Sequence, residues 1–378
     1  METGKVLIWP HHPFPPVYMQ VLSEREKWVW VLCLLSLLFW VTGCSSTTAL
    51  KKKPIKPKND NFHFYGLQQV GGVVGVEDLT LADTTGLVFL SSDDRRATRA
   101  KQPRPGAIYR FHLRKPLERP TPLTANLPFT FHPHGISYFP PYKPGGAGTL
   151  FVINHREDGK NTVEIFDWLE GQLTHRRSVE SPLLRSPNDI VGVGPNQFYF
   201  TNDMGSKTSS GRFFELLFGL PRANVGYFDG EKATPALSKL RYANGINRSA
   251  DGKWIYVSTV RQGRVLRCLP QADHQLQIER EVRLHSGADN IELDEKGHLW
   301  VTCHPDFLKF ARHVNQEKNR SPWEVYVVDF EAPEGQQVHR YFYHDGMDLS
   351  GASTTVVWRN RFVTGSVFEP RILTGRYY

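Results

Sequence analysis

Cysteine is scarce in this chain of 378 residues, which limits the ways in which its fold can be held together. There are four cysteines, of which only Cys268 and Cys303 lie in the body of the chain. Two cysteines cannot supply the disulfide framework on which small secreted domains depend. The other two, Cys33 and Cys44, lie in or directly after an apolar segment near the amino terminus. We therefore expect packing alone to hold the fold together.

A basic stripe of the kind that binds nucleic acid is also missing. The net charge is +8, but five lysines between residues 51 and 58 supply much of it, so the rest of the chain is only mildly basic. No RNA-binding or DNA-binding motif is present either, and we expect no nucleic-acid partner. The hydrophobic fraction of 40%, with 12% aromatic residues, is ordinary for a packed globular core and suits one large β domain.

An apolar run of 16 residues covers positions 28–43. It lies at or below the lower length limit for crossing a bilayer and has the length of the apolar part of a signal peptide. It ends in the sequence VTGC, which resembles the lipobox of bacterial lipoproteins. Under this interpretation Cys44 is acylated, the protein faces the periplasm or cell exterior, and Met19 is a natural start. The alternative is an uncleaved anchor, whose following lysines would favour a cytoplasmic position for that side.

The segment from residue 44 to residue 59 is polar and rich in lysine and proline. This composition is typical of a solvated tether, and its lysines could also contact anionic lipid head groups. The sequence thus predicts three parts. Residues 1–43 form a signal peptide or membrane anchor, residues 44–59 form the tether, and residues 60–378 form the folded domain.

One short pattern occurs six times in the folded domain: a polar residue or histidine, an apolar residue two positions later, a turn, and a β-rich run. Successive starts are separated by 57, 54, 56, 45 and about 63 residues, which suits a four-stranded blade plus a loop. We therefore predict an all-β fold, a closed six-bladed β-propeller with short helices in inter-blade loops. The six motifs start at Glu77, His134, Asn188, Asn244, Asp289 and, more weakly, Ala352.

Two loops of this propeller have unusual composition. Residues 211–220 are rich in Phe and Leu and end before Pro221, which predicts a short helix. This helix could pack over the end of the propeller, or it could be a lid or a lipid-docking patch. The loop after Ser92 is rich in arginine; such a run is usually a solvated surface, but here it could frame the entrance to the axis.

If each motif opens the innermost strand of its blade, the polar side chains meet at one end of the central axis. Calcium accepts roughly six to eight oxygen ligands from carboxylates, amides and backbone carbonyls. Zinc would require His or Cys in a tight tetrahedron, so the amide-rich set favours calcium. The side chains that offer oxygens to this ion are Glu77, Asn188, Asn244, Asp289 and Asn290.

A second, deeper calcium site follows from the residue after the motif start. Successive side chains of a strand point to opposite sides, so Asp78 and Asp189 should face away from the first cluster. They could hold a buried ion together with the backbone oxygen of Ile136. We therefore predict two axial calcium sites.

Two histidines can lie beside the first of these ions. His134 occupies the axial position of the second blade, and His155 ends the second strand of the same blade. A pair of imidazoles next to a metal can act as a general base and its orienting partner. The alternative, a hydrogen-bonded core histidine, remains open for each. His132 and His304 lie in nearby motifs and are weaker candidates.

Several segments that touch every blade occur in order between about residues 64 and 373, among them FHPHGISYF, SPNDIVGVGPNQFYFTND, ANGIN and DNIELDEKGHLWVTCHP. These segments resemble the corresponding segments of the paraoxonase family of calcium-dependent arylesterases and lactonases. The resemblance implies a catalytic calcium held by the first oxygen set and a structural one held by Asp78, Asp189 and the Ile136 carbonyl. It also implies that His134 and His155 deprotonate a water that attacks lactones and aryl esters, with phosphotriesters as a side activity in some members.

The chain departs from the family in several places. The family's disulfide, which ties the amino-terminal strand to the last one, has no cysteines here, so closure should depend on strand pairing. Met204 replaces a usual histidine. The resemblance places Tyr242, Cys303 and Phe368 in the substrate pocket, where Tyr242 and the arginine-rich loop should alter substrate preference.

We predict from these observations a monomeric, calcium-dependent hydrolase of small lactones and aryl esters, associated with membrane lipid through Cys44 or residues 28–43. A second hypothesis is a propeller that binds a ligand without catalysis. A third retains hydrolysis but changes the substrate to sugar lactones or organophosphates. All proposed ligands and both histidines are present, which favours catalysis.

Overall fold

The computed structural model describes residues 63–82 and 85–378. The predicted signal or anchor, Cys44 and the tether lie outside these residues, so those interpretations stay predictions. Within the described residues, no helix has the length and apolar character that crossing a membrane requires.

The described chain forms 24 strands arranged in six four-stranded antiparallel sheets. The first strand, β1 (Phe64–Gly71), belongs to the last sheet. Blade 1 comprises β2 (Val76–Leu81), β3 (Leu87–Ser92), β4 (Ala107–His112) and β5 (Thr121–Pro122). Blade 2 comprises β6 (Pro133–Phe139), β7 (Gly148–His155), β8 (Asn161–Leu169) and β9 (Gln172–Glu180). Blade 3 comprises β10 (Pro187–Gly192), β11 (Phe198–Asn202), β12 (Ala223–Phe228) and β13 (Ala233–Leu240).

The remaining blades repeat this order. Blade 4 comprises β14 (Ala243–Arg248), β15 (Ile255–Thr259), β16 (Arg264–Pro270) and β17 (Leu276–Arg283). Blade 5 comprises β18 (Gly287–Leu293), β19 (Leu299–His304), β20 (Trp323–Val328) and β21 (Val338–His344). Blade 6 comprises β22 (Ala352–Trp358), β23 (Arg361–Ser366), β24 (Arg371–Tyr377) and β1. The predicted all-β, six-bladed propeller is confirmed.

The ring closes through strand pairing between β1 and β24, as the sequence predicts. β1 is antiparallel to β24 from the pair Phe64 and Tyr377 to the pair Gly71 and Arg371. The Phe64 ring stacks on Phe362 with a centroid distance of 3.9 Å. Phe64 is buried, and removing one such aromatic ring from water contributes about 1.5–3 kcal/mol. Closure therefore rests on a paired strand and an apolar anchor.

The innermost strand of each blade is irregular at the repeated motif. Its register with the next strand shifts at that point in all six blades. A β-bulge sets two residues against one partner, so the usual alternation of side chains between the two faces is interrupted. As a result, both polar residues of a motif can lie inside the central ring.

Two glycines allow these inner strands to approach each other. A Cβ atom on Gly135 would lie 2.5 Å from the carbonyl oxygen of Asn188, and one on Gly245 would lie 2.7 Å from that of Asp289. Real Cβ atoms essentially never come so close to backbone atoms. Glycine in blades 2 and 4 therefore lets the inner strand of the next blade pack directly against the motif.

Three helices lie at the end of the propeller where the motifs open. They are α1 (Arg95–Arg99), α2 (Ser209–Phe218) and α3 (Phe307–Asn315). Each connects the second and third strands of its blade, in blades 1, 3 and 5. Because the strands are antiparallel, this connection lies at the same end as the start of the inner strand. The helices are thus placed around the mouth of the axis.

Helix α2 covers most of the helix predicted for residues 211–220 but begins two residues earlier. Gly219, in a left-handed conformation with φ of 58°, ends it before Pro221. Its only buried residue is Glu215, which accepts a hydrogen bond from the Gly205 amide. The large apolar side chains of this helix are exposed instead, and they are Phe213, Phe214, Leu217 and Phe218. The apolar face therefore does not pack on the propeller.

Candidate active site

A cavity of about 220 Å³ lies at the motif end of the central axis. Five blades each contribute the first polar residue of their motif to its wall. These residues are Glu77, His134, Asn188, Asn244 and Asp289. The repeat that is spread over more than 200 residues of sequence is thus brought together in one place.

The outer part of the cavity has an apolar side and a basic side. Helix α3 and the loop after β23 supply the apolar side, together with Val260 from blade 4. This side is formed by Val260, Phe307, Phe310, Val314, Val367 and Phe368. Arg95 and Arg99 of helix α1 form the basic side, and Asp203, Tyr242 and His304 complete the wall.

Three buried oxygens in the cavity have no hydrogen-bond partner among the described residues. They are Oε2 of Glu77 and the Oδ1 atoms of Asn188 and Asn244. A buried oxygen without a partner costs free energy, so such atoms are rare and mark a place where a ligand binds. Three hard oxygen donors from three blades around one cavity match the chemistry that calcium requires.

Other contacts support the same donor set. Nδ2 of Asn290 donates to Oε1 of Glu77 at 3.0 Å and to Thr354 at 2.7 Å, which fixes its amide group next to Glu77. Oδ2 of Asp289 lies 2.8 Å from Nε2 of His304. In residues 63–82 and 85–378 no three His, Cys, Asp or Glu side chains are grouped as a metal site. The oxygens that line the cavity belong to amides and carboxylates from separate strands, whereas structural zinc sites use Cys and His in a tight tetrahedron.

Asp78 and Asp189 lie on a deeper level of the ring. Oδ2 of Asp78 accepts a hydrogen bond from the Ile136 amide of the next blade at 2.7 Å. Oδ2 of Asp189 likewise accepts from the Ile246 amide of the next blade at 2.7 Å. Burial, and then the charge of Glu77, raises the pKa of Asp78 well above its usual value. Burial, and then the charge of Asp78, does the same to the pKa of Asp189, as expected for close buried carboxylates that a cation would stabilise.

His134 and His155 are hydrogen-bonded to each other. Nδ1 of His134 lies 2.7 Å from Nε2 of His155, and Nδ1 of His155 lies 2.7 Å from Oδ1 of Asn161. Nδ2 of Asn161 donates to the carbonyls of Leu184 and Arg185, which fixes its oxygen toward His155. His155 therefore carries its proton on Nδ1 and accepts through Nε2.

This tautomer determines which nitrogen of His134 carries the lone pair. Because Nε2 of His155 is an acceptor, Nδ1 of His134 must donate, and the lone pair of His134 lies on Nε2. That Nε2 is 3.4 Å from Oε2 of Glu77, beside the partnerless oxygens. Burial, and then the charge of His134, lowers the pKa of His155 to about 3, so His155 stays neutral near neutral pH.

The two weaker histidine candidates have different positions. His304 lines the cavity, contacts Asp289 and stacks on Phe310 with a centroid distance of 3.9 Å. His132 is buried behind the wall, where its Nδ1 lies 2.8 Å from Asp93. The hydrogen bond to Asp93 raises the pKa of His132 above its ordinary value. His132 therefore supports the loop after Ser92 and does not face the cavity.

Of the three residues assigned to the substrate pocket, Tyr242 and Phe368 line the cavity. Cys303 does not, because it is fully buried in the hydrophobic cluster between blades 4 and 5, with Val301 and Ala288. Burial raises the pKa of its thiol well above the ordinary value. The assignment of Cys303 to the cavity wall is therefore corrected.

Several residues of the site have no signal in the sequence that singles them out. Asn161 starts a strand after a turn, and Asp203 follows a strand end. Asp203 accepts a hydrogen bond from Ser186, and burial raises its pKa. The individual roles of Arg95 and Arg99 cannot be separated in an arginine-rich run. Only three-dimensional placement distinguishes them.

The chain is similar to known proteins over most of its length. The Arylesterase family profile matches residues 102–374. Over 303 residues the chain is 31% identical to serum paraoxonase/arylesterase 2 of Gallus gallus, an alignment that covers 78% of this chain and 84% of the relative. Over 306 residues it is 31% identical to serum paraoxonase/arylesterase 1 of Homo sapiens, with the same coverage of 78% and 84%.

Solved structures share the fold at low sequence identity. A luciferin-regenerating enzyme superposes with a TM-score of 0.51 at 12% identity, covering 82% of this chain and 97% of the other. Regucalcin from Agrobacterium tumefaciens gives 0.50 at 15% identity, covering 85% and 96%. These two show the propeller alone. The family match covers most of the chain and shows the family and the enzyme class. This chain is an esterase/lactonase enzyme and belongs to the arylesterase family, with the paraoxonases as relatives.

Proposed function

We propose that this cavity hydrolyses lactones and aryl esters in a calcium-dependent reaction with His134 as the general base. The observation that carries the proposal is the position of Nε2 of His134, 3.4 Å from Glu77 and beside the partnerless amide oxygens. A base and a set of hard oxygen donors thus lie in one partly apolar cavity.

The residues that would hold the catalytic ion are Glu77, Asn188, Asn244, Asp289 and Asn290. Its binding would give the orphaned oxygens of Glu77, Asn188 and Asn244 a partner and offset the charge of the Glu77 and Asp289 carboxylates. A second ion would lie on the deeper level, between Asp78 and Asp189 and near the backbone of Ile136. A calcium ion bound at the upper site supplies a positive field that polarises the ester carbonyl and stabilises the developing oxyanion.

His134 and His155 have different roles in this mechanism. Nε2 of His134 takes a proton from the attacking water, and the resulting imidazolium keeps its Nδ1 proton bonded to His155. His155 remains a neutral acceptor, because burial and the charge of His134 lower its pKa to about 3. His134 then returns the proton to the leaving oxygen. No covalent bond to the enzyme is required.

The apolar side of the cavity supplies the remaining binding. Phe310 and Phe368 are placed to contact an aromatic or aliphatic ring and to exclude water from the polar floor. This favours lactones and aryl esters over highly hydroxylated sugar lactones, whose hydroxyls would face apolar side chains without partners.

The test is a pH-stat screen of lactones with varied ring size and side chain, with and without calcium, on the wild type and His134→Gln. We expect turnover that requires calcium and falls about 100-fold or more in the variant, since general base catalysis contributes ~100-fold to 10,000-fold. The variant should still bind calcium, measured by isothermal titration calorimetry. Full wild-type turnover in excess chelator would rule out the metal, and unchanged turnover in His134→Gln would remove the base.

A further inference from the structure

The three arginines of helix α1 have three different environments. Asp94 caps the helix by accepting a hydrogen bond from the Ala97 amide at 3.0 Å. Arg95 donates to the carbonyls of Gly75 and Pro133, both at 3.0 Å, which ties the helix to blades 1 and 2. Arg96 donates to the carbonyl of His313 at 2.9 Å, which ties it to α3. The helix is therefore held at both sides of the cavity mouth.

Arg99 is the exception. It lies on the last turn of α1, lines the cavity and is exposed, yet it has no hydrogen bond or ion pair with any residue of the described chain. Arg95 also lines the cavity, and neither of these two guanidiniums pairs with a carboxylate in residues 63–82 and 85–378. A guanidinium that faces a binding cavity on an anchored helix, without a carboxylate partner, is available to a ligand.

The net charge of the cavity also favours an anionic ligand. The carboxylates that line it are Glu77, Asp203 and Asp289, and a divalent ion on the oxygen set would balance two of them. One carboxylate then remains beside two guanidiniums, so the loaded cavity is net positive. Such a field raises the local concentration of anions and speeds their association.

We propose that the substrate is an ester or lactone that carries an anionic group remote from the scissile bond, and that Arg99 binds this group with Arg95 behind it. The planar guanidinium matches a carboxylate through two parallel hydrogen bonds. The apolar side formed by Phe307, Phe310 and Phe368 would hold the carbon skeleton between the anion and the reacting carbonyl. This inference rests on the proposed hydrolase function and adds the substrate class.

The experiment compares two substrates of nearly equal shape, 4-acetoxybenzoate and 4-acetoxybenzamide, in calcium-loaded enzyme. The readout is the ratio of their kcat/KM values, in wild type, Arg99→Gln, Arg99→Lys and Arg99→Glu. Because each variant is compared with wild type, the intrinsic reactivity of the two esters cancels. The matched control is Arg104→Gln, an arginine of the same loop that does not line the cavity and pairs with Asp94 at 3.7 Å.

We expect the ratio to fall about tenfold in Arg99→Gln, less in Arg99→Lys and more in Arg99→Glu, with no change in Arg104→Gln. Added salt should lower the wild-type ratio and lower that of Arg99→Gln less, because Arg95 remains in the cavity wall. Isothermal titration calorimetry of 4-hydroxybenzoate and 4-hydroxybenzamide gives a readout that does not depend on turnover, and the ratio of their affinities should follow the same order. Thermal unfolding checks that each variant is folded.

Two results would overturn the inference, and they can be told apart. If both esters are hydrolysed with calcium but the ratio in Arg99→Gln equals that of wild type, Arg99 does not select an anion while the hydrolase function stands. If folded, calcium-loaded wild type hydrolyses neither these esters nor the lactone panel, the proposed function fails and the inference fails with it.

Discussion

The amide oxygen of Asn161 lies 2.7 Å from Nδ1 of His155, on the side of the ring opposite His134. This one contact orders the whole dyad, because it fixes which nitrogen of each imidazole carries a proton. Asn161 touches neither the cavity nor its oxygen donors. It is a positioning residue that acts through His155.

We expect Asn161→Ala to lower kcat about tenfold or more with little change in KM, because both tautomers of His155 become accessible and Nε2 of His134 loses its fixed lone pair. Asn161→Asp keeps an acceptor for Nδ1 of His155 but loses the donors to the Leu184 and Arg185 carbonyls, so it should recover only part of the rate. The measurement is the pH profile of kcat for both variants. If Asn161 had only a structural role, its replacement would reduce the amount of folded enzyme. The shape of the pH profile of kcat would then be unchanged, and the Ala and Asp variants would have the same profile.

The deeper carboxylates predict how the protein responds to removal of metal. Asp78 and Asp189 are buried, and each repels a neighbouring carboxylate, so their ionised forms need a cation nearby. We expect calcium at the deeper site to raise Tm by about 5 °C, since one ligand at about 100 times its Kd adds roughly 2.7 kcal/mol. Asp189→Asn should lose this part of the calcium-dependent increment and keep the part that comes from the upper site.

Differential scanning calorimetry with and without chelator measures both quantities. Asp203→Asn serves as the control, because it is a buried carboxyl that belongs to neither proposed oxygen set. It should keep the calcium-dependent increment. An equal increment in wild type and Asp189→Asn would contradict a deeper ion.

The fold could be predicted from the sequence because the propeller repeats. Six motifs with a common phase, followed by β-rich runs, identify one blade each, and a closed ring of such blades brings Glu77 and Asp289 to one cavity. The first residues of five of these motifs could be assigned to the site for the same reason. Periodicity carries this information even where each single motif resembles an ordinary turn.

The depth of the site could not be predicted in the same way. Simple alternation sends Asp78 and Glu77 to opposite faces, whereas the bulge in β2 lets both stay inside the ring. Asn161 and Arg99 carry no periodic signal, since Asn161 starts the third strand of blade 2 and Arg99 ends a helix of five residues. The resemblance places Cys303 in the substrate pocket, but at its position in β19 the side chain points into the hydrophobic core between blades 4 and 5.

The contact between helices α1 and α3 gives a prediction for the pH dependence of stability. Nδ1 of His313 donates to the carbonyl of Asn319 at 2.8 Å, and its Nε2 lies 3.2 Å from Nη2 of Arg96. Since Nη2 can only donate, His313 must be neutral in this arrangement. Burial lowers the pKa of His313 to about 4. The hydrogen bond to Asn319 opposes this effect, and the charge of Arg96 adds to it.

The direction in which stability changes with pH follows from proton linkage. His313 has a lower pKa in the folded state than its ordinary value of 6.5, so below that pH the unfolded chain binds the proton more readily. His313 therefore makes its full contribution to the free energy of unfolding above pH 6.5, and this contribution is lost as the pH falls toward about 4. The total is about 3 kcal/mol. We expect His313→Gln to be less stable than wild type at pH 8 but to approach it at pH 4. Urea unfolding of both proteins from pH 8 to pH 4 measures this difference, and a constant gap across that range would show that His313 does not titrate within the folded protein as proposed.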